Sequence, residues 1–207
     1  KIEVEDLPCL KNEHITFGCF NNSSKISEEV IETWSQILLK VNNSKLMIKA
    51  PSDDAEIAQK NILKKFQNFD IEGSRIQFSP REKKKEDHYK MYNKIDISLD
   101  TFPYTGVTTS IESIWMGVPV LTLEGNNFVS RCGESLNKNL GMQEFIASDK
   151  NDYINKAITI SENKEKLSLI RKSLRDKALR SPIFDMESFG QDFSDLLNNA
   201  WQKNYSK

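Results

Sequence analysis

Residues 100–112, DTFPYTGVTTSIE, place a glycine, two adjacent threonines and a carboxylate where an apolar run gives way to an amphipathic one. Such a joint suits an anion. The first turn of a helix offers unpaired N–H groups and a partial positive charge, Gly106 lets a ligand approach the backbone, and Thr108 and Thr109 add hydroxyl donors. A second polar turn, NNSSK at 21–25, follows the first apolar run and ends in Lys25, an ammonium able to neutralise a phosphate. The same residues have a purely structural use. Thr109 followed three positions later by Glu112 fits a capping box, in which the side chains satisfy the helix's own amides and bind nothing. The sequence is equally compatible with both. Of the two histidines, His14 stands at the entry to the first apolar run and reads as structural, whereas His88 follows the third run on the ligand side.

Other chemistries lack their signatures. No GxGxxG follows the first apolar run and no GxxxxGK[ST] is present, which disfavours a dinucleotide cofactor and a P-loop hydrolase. No Asp-x-Asp pair offers a divalent ion a seat, so a metal-free phosphate site is expected. Cys9, Cys19 and Cys132 are odd in number and widely spaced, which argues for reduced thiols over a disulfide framework or a zinc site. A formal net charge of -1 gives no global attraction for nucleic acid or an anionic membrane. No run approaches the ~18 apolar residues of a membrane span, and the N-terminal stretch lacks a signal-peptide core, so a cytoplasmic location is expected. The first residue is Lys1, which suggests a piece of a longer chain.

These residues need elements to bring them together. Short apolar runs at 15–20, 45–50, 75–79, 95–99, 118–123 and 144–148 have the length of buried strands. Helical spacing lies between them, clearest at 27–41, where Val30, Trp34, Ile37, Leu38 and Val41 share a face behind Ser27 as N-cap. Ile111, Ile114 and Trp115 are assigned to packing in the same way, and the mixed-charge run at 81–90 to a solvated helix. Strand and helix alternate, which predicts an α/β doubly wound parallel sheet, Rossmann-like, within one domain over 1–207. From 149 onward helices alone are expected, at 149–161, 163–180 and 186–204, as a helical C-terminal tail. In the Rossmann order the strand sequence reverses between strands one and four, so the turns at 21–25 and 100–109 overhang a single crevice.

The runs SRIQFSPREKKKEDH, LDTFPYTGVTT, WMGVPVLTLEG, SR followed by LG, and SPIFDMESF resemble, in order and separation, the C-terminal catalytic half of O-GlcNAc transferase and its bacterial relatives, glycosyltransferase family 41. The likeness extends from about residue 13 to about residue 204. It implies the C-terminal domain of a GT-B enzyme that moves a sugar from a UDP-sugar to a protein side chain without a metal cofactor. A preceding GT-B domain, with or without helical repeats, would complete the protein. By the resemblance Asn22 and Lys25 approach the donor, and Lys25 stabilises the leaving diphosphate as its charge develops. His88, with Lys85 beside it, meets the uracil ring, Thr108 and Thr109 hold the diphosphate, and Glu112 binds the ribose. Val107, Asn22 and Glu112 stand where the family carries histidine, glutamine and aspartate. Those departures leave two further readings: a non-catalytic nucleotide-binding or interaction module of the same fold, and a site for another phosphorylated ligand.

Overall fold

The computed structural model describes residues 2–50, 55–80 and 82–205; Arg81, the first residue of the charge run, lies outside them. A short helix α1 (Cys9–Asn12) leads into β1 (Thr16–Cys19), α2 (Glu28–Lys40), β2 (Lys45–Lys49), α3 (Ala55–Gln67), β3 (Ile76–Ser79) and α4 (Lys85–Met91). The chain continues through β4 (Ile97–Leu99), α5 (Thr108–Trp115), β5 (Val120–Leu123), α6 (Cys132–Asn139) and β6 (Ile146–Ala147), then α7 (Lys150–Glu162), α8 (Lys164–Leu179) and α9 (Met186–Tyr205). Each strand lies within an expected apolar run. Their continuous apolar character follows from a sheet covered on both faces, where no alternation with polar residues is needed.

All six strands are parallel, in the order β3-β2-β1-β4-β5-β6. Phe17 pairs with Leu46 on one side and Ile97 on the other, so β1 and β4 are neighbours at the reversal point. On one face Trp34, Ile37 and Leu38 of α2 pack with Phe17, Leu46 and Tyr153; Phe20, Met47, Tyr92 and Ile95 belong to a separate cluster. Helix α2 starts where Ser27 Oγ accepts the Val30 N–H at 3.3 Å, with Glu28 and Glu29 favourably placed in its first turn. Ile114 is fully buried, and half-buried Trp115 packs on Phe184 at 5.6 Å between ring centroids. The chain beyond 149 divides in two. Helices α7 and α8 are built into the core through Tyr153, Ile154, Ala157, Leu167 and Leu174, whereas α9 has no buried residue.

Arg171 of α8 clamps the base of the sheet. Its side chain is buried, with Nε donating to Glu5 O at 2.7 Å, Nη1 to Ile95 O at 2.9 Å and Nη2 to Tyr92 O at 3.3 Å. Burial lowers its pKa, and the nearby Asp96 charge opposes that shift. Arg171→Met strands these three carbonyls, and at about 1–3 kcal/mol per unsatisfied buried acceptor the expected loss is ~3 kcal/mol or more. Urea denaturation reads this as a lower midpoint at unchanged slope.

Candidate active site

The crevice lies beyond the carboxyl ends of β1 and β4. After β1 the chain turns through a single 3₁₀ turn at Ser23–Lys25, closed by Asn22 Oδ1 accepting the Ser24 N–H at 3.1 Å. That turn aims Lys25 across the crevice. Its Nζ donates to Thr105 O at 2.9 Å and sits 3.9 Å above the Tyr104 ring centroid. Lys25 and the 100–109 loop therefore meet in one place. Burial lowers the Lys25 pKa, against the opposing effect of Asp100, Cys19 and Cys132.

Asp100, 2% exposed, organises the loop. Its Oδ1 accepts the Gly106 N–H at 2.7 Å, the Thr101 N–H at 3.0 Å and the Asn21 amide at 3.1 Å, while Oδ2 accepts the Thr122 hydroxyl at 3.0 Å. Burial pushes the carboxyl up to about 6, and these four hydrogen bonds restrain it. Asn21 in turn accepts the Thr109 hydroxyl, which joins the two turns side chain to side chain. A Cβ at Gly106 would come within 2.5 Å of Ser110 Oγ, 2.7 Å of Thr109 Oγ1 and 2.8 Å of Asn21 Oδ1. That crowding is why a glycine stands there. A Cβ at Gly133 would likewise lie 2.7 Å from Asp100 Oδ2.

Helix α5 begins at Thr108, with Val107 as an N-cap that supplies no side-chain hydrogen bond. The capping-box reading of Thr109 and Glu112 is corrected by this. Because the helix starts two residues earlier than that motif requires, the Thr109 hydroxyl is given to Asn21 and the Glu112 carboxylate turns toward α4. The first-turn amides are left without a side-chain cap, and Thr108 is exposed beside them.

On the α4 side, His88 Nε2 lies 3.0 Å from Glu112 Oε2, and the Tyr92 hydroxyl lies 3.2 Å from both Glu112 Oε2 and Thr109 O. Phe20 packs edge-on against Tyr92 at 4.8 Å and lies 6.3 Å from His88, measured between centroids. These rings make an aromatic wall ending in a carboxylate. Burial pushes the Glu112 pKa up, but the hydrogen bonds and charge it receives from His88, with Tyr92, outweigh this and leave it below the usual range. Lys85 is exposed in the first turn of α4, three residues before His88 and so on its side of the helix.

Of the eight expected residues, Lys25, Gly106, Thr108, Thr109, His88 and Glu112 border this crevice, Lys85 stands at its rim, and Asn22 caps its own turn with an exposed side chain. Asn21, Asp100, Tyr92 and Phe20 complete the crevice without having been singled out. Tyr92 carried a signal, since it falls four residues after His88, one helical turn away. Cys9 and Cys19 are buried free thiols, pushed up to about 12 chiefly by burial, and Cys132 is half-buried and free. His14 Nδ1 is 2.7 Å from Asn12 O at the entry to β1, away from the crevice. Among the described residues no group of three or more His, Cys, Asp or Glu side chains is placed to hold a metal ion, and no helix is long and apolar enough to cross a membrane.

The profile of Glycosyl transferase family 41 matches residues 5–193. The chain belongs to this family. Its sheet order and helices are those of the Rossmann-like domains in GT-B glycosyltransferases. The family 41 chain is 35% identical over 200 residues to the SPINDLY protein of Eustoma exaltatum subsp. russellianum, named a probable UDP-N-acetylglucosamine–peptide N-acetylglucosaminyltransferase. That match covers 97% of this chain and 22% of the relative. The Caenorhabditis elegans UDP-N-acetylglucosamine–peptide N-acetylglucosaminyltransferase is 28% identical over 94% of this chain and 16% of its own length. A mutant O-GlcNAc transferase from Thermobaculum terrenum superposes with a TM-score of 0.86 at 32% identity, covering 92% of this chain and 36% of that one. The chain thus spans about a fifth of the length of the curated relatives it matches.

Proposed function

We propose that this chain is the donor-binding half of a glycosyltransferase that transfers a sugar from a UDP-sugar to a protein side chain. The observation that carries the reading is the Lys25–Thr105 contact, which places an ammonium beside the uncapped α5 N-terminus. A diphosphate seated on the Thr108 and Thr109 amides and hydroxyls would lie within reach of Lys25. Helix, hydroxyls and lysine then supply positive potential where charge grows as the glycosidic bond to phosphate breaks. This assigns the neutralising role to Lys25 and the helix rather than to a metal cofactor. Glu112, fixed by His88 and Tyr92, presents its remaining oxygen to the ribose hydroxyls, and Phe20 and His88 flank the base with Lys85 at its edge.

The names of the relatives support UDP as carrier and a peptide as acceptor, and their greater length supports a preceding GT-B domain in the whole protein. Three free cysteines suit a cytoplasmic location. Calorimetric titration of the chain with UDP, ADP and GDP tests the reading. Saturable binding is expected, with UDP favoured by about tenfold, the ~1.4 kcal/mol of one unmatched base contact. Binding of none of the three removes the site, and a preference for GDP or ADP replaces the nucleotide. Transfer of sugar to protein by the full-length enzyme would exclude the non-catalytic alternative.

A further inference from the structure

Lys25 sits against groups that carry no opposing charge. Among the described residues it forms no ion pair. Its ammonium instead meets two neutral groups of the 100–109 loop: Nζ donates to Thr105 O at 2.9 Å and stands 3.9 Å from the centroid of the Tyr104 ring. The difference matters for an anion site. A carboxylate partner would cancel the charge and would have to be displaced by a phosphate, whereas a carbonyl and a ring face direct the ammonium and leave its charge to the crevice. An ammonium has several N–H donors, so one given to Thr105 O and one turned to the ring still leave a donor for a ligand oxygen.

The loop fixes this seat from both sides. Tyr104 is 49% exposed, yet its O accepts the hydroxyl of buried Thr101 at 2.7 Å, and the Thr101 N–H is held by Asp100 Oδ1 at 3.0 Å. On the other side buried Thr105 gives its N–H at 3.2 Å and its hydroxyl at 2.8 Å to Val129 O. Val129 belongs to the turn Phe128–Ser130, which Asn127 and Ser130 close as a reciprocal capping box, with Ser130 N–H to Asn127 Oδ1 at 3.0 Å and Asn127 N–H to Ser130 Oγ at 3.1 Å. The ring therefore reaches Lys25 from an anchored backbone. No contact assigned above to the nucleotide uses it.

We propose that Tyr104 is a positioning residue for the transfer reaction: its ring face, together with the Thr105 carbonyl, holds the Lys25 ammonium toward the diphosphate before the donor arrives. The assignment rests on the reading of Lys25 as the cation that meets the diphosphate. Tyr104 acts through Lys25 and does not touch the leaving group. Fixing a long, flexible side chain in advance lowers the entropy lost on binding, so the ring adds affinity without a ligand contact of its own.

The test uses Tyr104→Phe, which keeps the ring face, and Tyr104→Leu, which keeps apolar cover but loses the face, each alone and combined with Lys25→Met. Unchanged thermal midpoints verify folding. Calorimetry is expected to show UDP bound about fivefold more weakly by Tyr104→Leu and within about twofold of wild type by Tyr104→Phe. In the Lys25→Met chain the added Leu is expected to change UDP binding by less than about twofold, because the ring has no cation left to hold. Affinity for UDP falls at alkaline pH as Lys25 loses its proton, and that fall should begin at lower pH in Tyr104→Leu and stay in place in Tyr104→Phe. The ring favours the charged form of Lys25, and Asp100, Cys19 and Cys132, the other titratable groups acting on it, are present in every variant. NMR titration of the Lys25 side chain without nucleotide reads the same shift independently of binding. A loss in Tyr104→Leu that persists in the Lys25→Met chain, or that Tyr104→Phe shares, overturns the assignment, as does an alkaline fall that stays in place. If the NMR shift is present and the wild-type chain fails to bind UDP, the donor reading falls and the role of Tyr104 in transfer falls with it. If the wild-type chain binds UDP and the NMR shift is absent, the role of Tyr104 alone is overturned.

Discussion

Lys25→Met is expected to weaken UDP binding by about 30- to 100-fold, the 2–3 kcal/mol attached to a charge-assisted contact in a partly desolvated site. Its effect on stability should be small. In the free chain Lys25 holds its charge against burial, as the lowered pKa shows, so removing that charge relieves a cost while losing one hydrogen bond to Thr105 O. The sign of the pH dependence follows. A lysine whose folded pKa lies below 10.5 loses its proton earlier as pH rises, so wild-type affinity for UDP should decline at alkaline pH before an ordinary lysine would titrate. Bound diphosphate favours the ammonium, so binding should also take up protons in that range. Calorimetry in two buffers of different ionisation enthalpy measures the uptake. A Lys25→Met chain that binds UDP as well as wild type, or keeps the alkaline decline, would remove Lys25 from the site.

The sequence makes the frame legible because its physics is local. A strand buried on both faces must be apolar throughout, and six such runs alternating with helical spacing leave little topological choice. The turn carrying Lys25 and the loop carrying Gly106 and Thr109 can be placed together from that order alone. Single-residue assignments resist the same reading. Asn21 and Asn22 are chemically identical, and only the 3₁₀ turn at Ser23–Lys25 decides that the first enters the crevice and the second caps the turn. Thr109 and Glu112 have the spacing of a cap, yet that spacing also puts both on one side of α5, where Asn21 and His88 compete for them successfully.

Asp100 separates geometry from charge beneath the cradle. Its folded pKa of about 6 lies above the ordinary 3.8, so the folded chain binds the extra proton between those values. The resulting stability is fully present below about pH 4 and is lost as pH rises through about 6, a change of about 3 kcal/mol. Asp100→Asn can retain every bond. The Asn Oδ1 accepts from Gly106, Thr101 and Asn21, and its amide donates to the Thr122 hydroxyl where the carboxylate had accepted. From about pH 4 to about pH 7 the stability difference between the two proteins should therefore move by about 3 kcal/mol in favour of the Asn form. Asp100→Leu has no acceptor, so the Gly106 N–H and the Asn21 amide lose the oxygen that orients them, and UDP binding should fall by about tenfold or more. The Asn form should bind UDP at least as tightly as wild type, because a buried negative charge has been taken from below an anion. Parallel loss of binding in the Asn and Leu forms would instead mean that the cradle needs the charge of Asp100 as well as its oxygens.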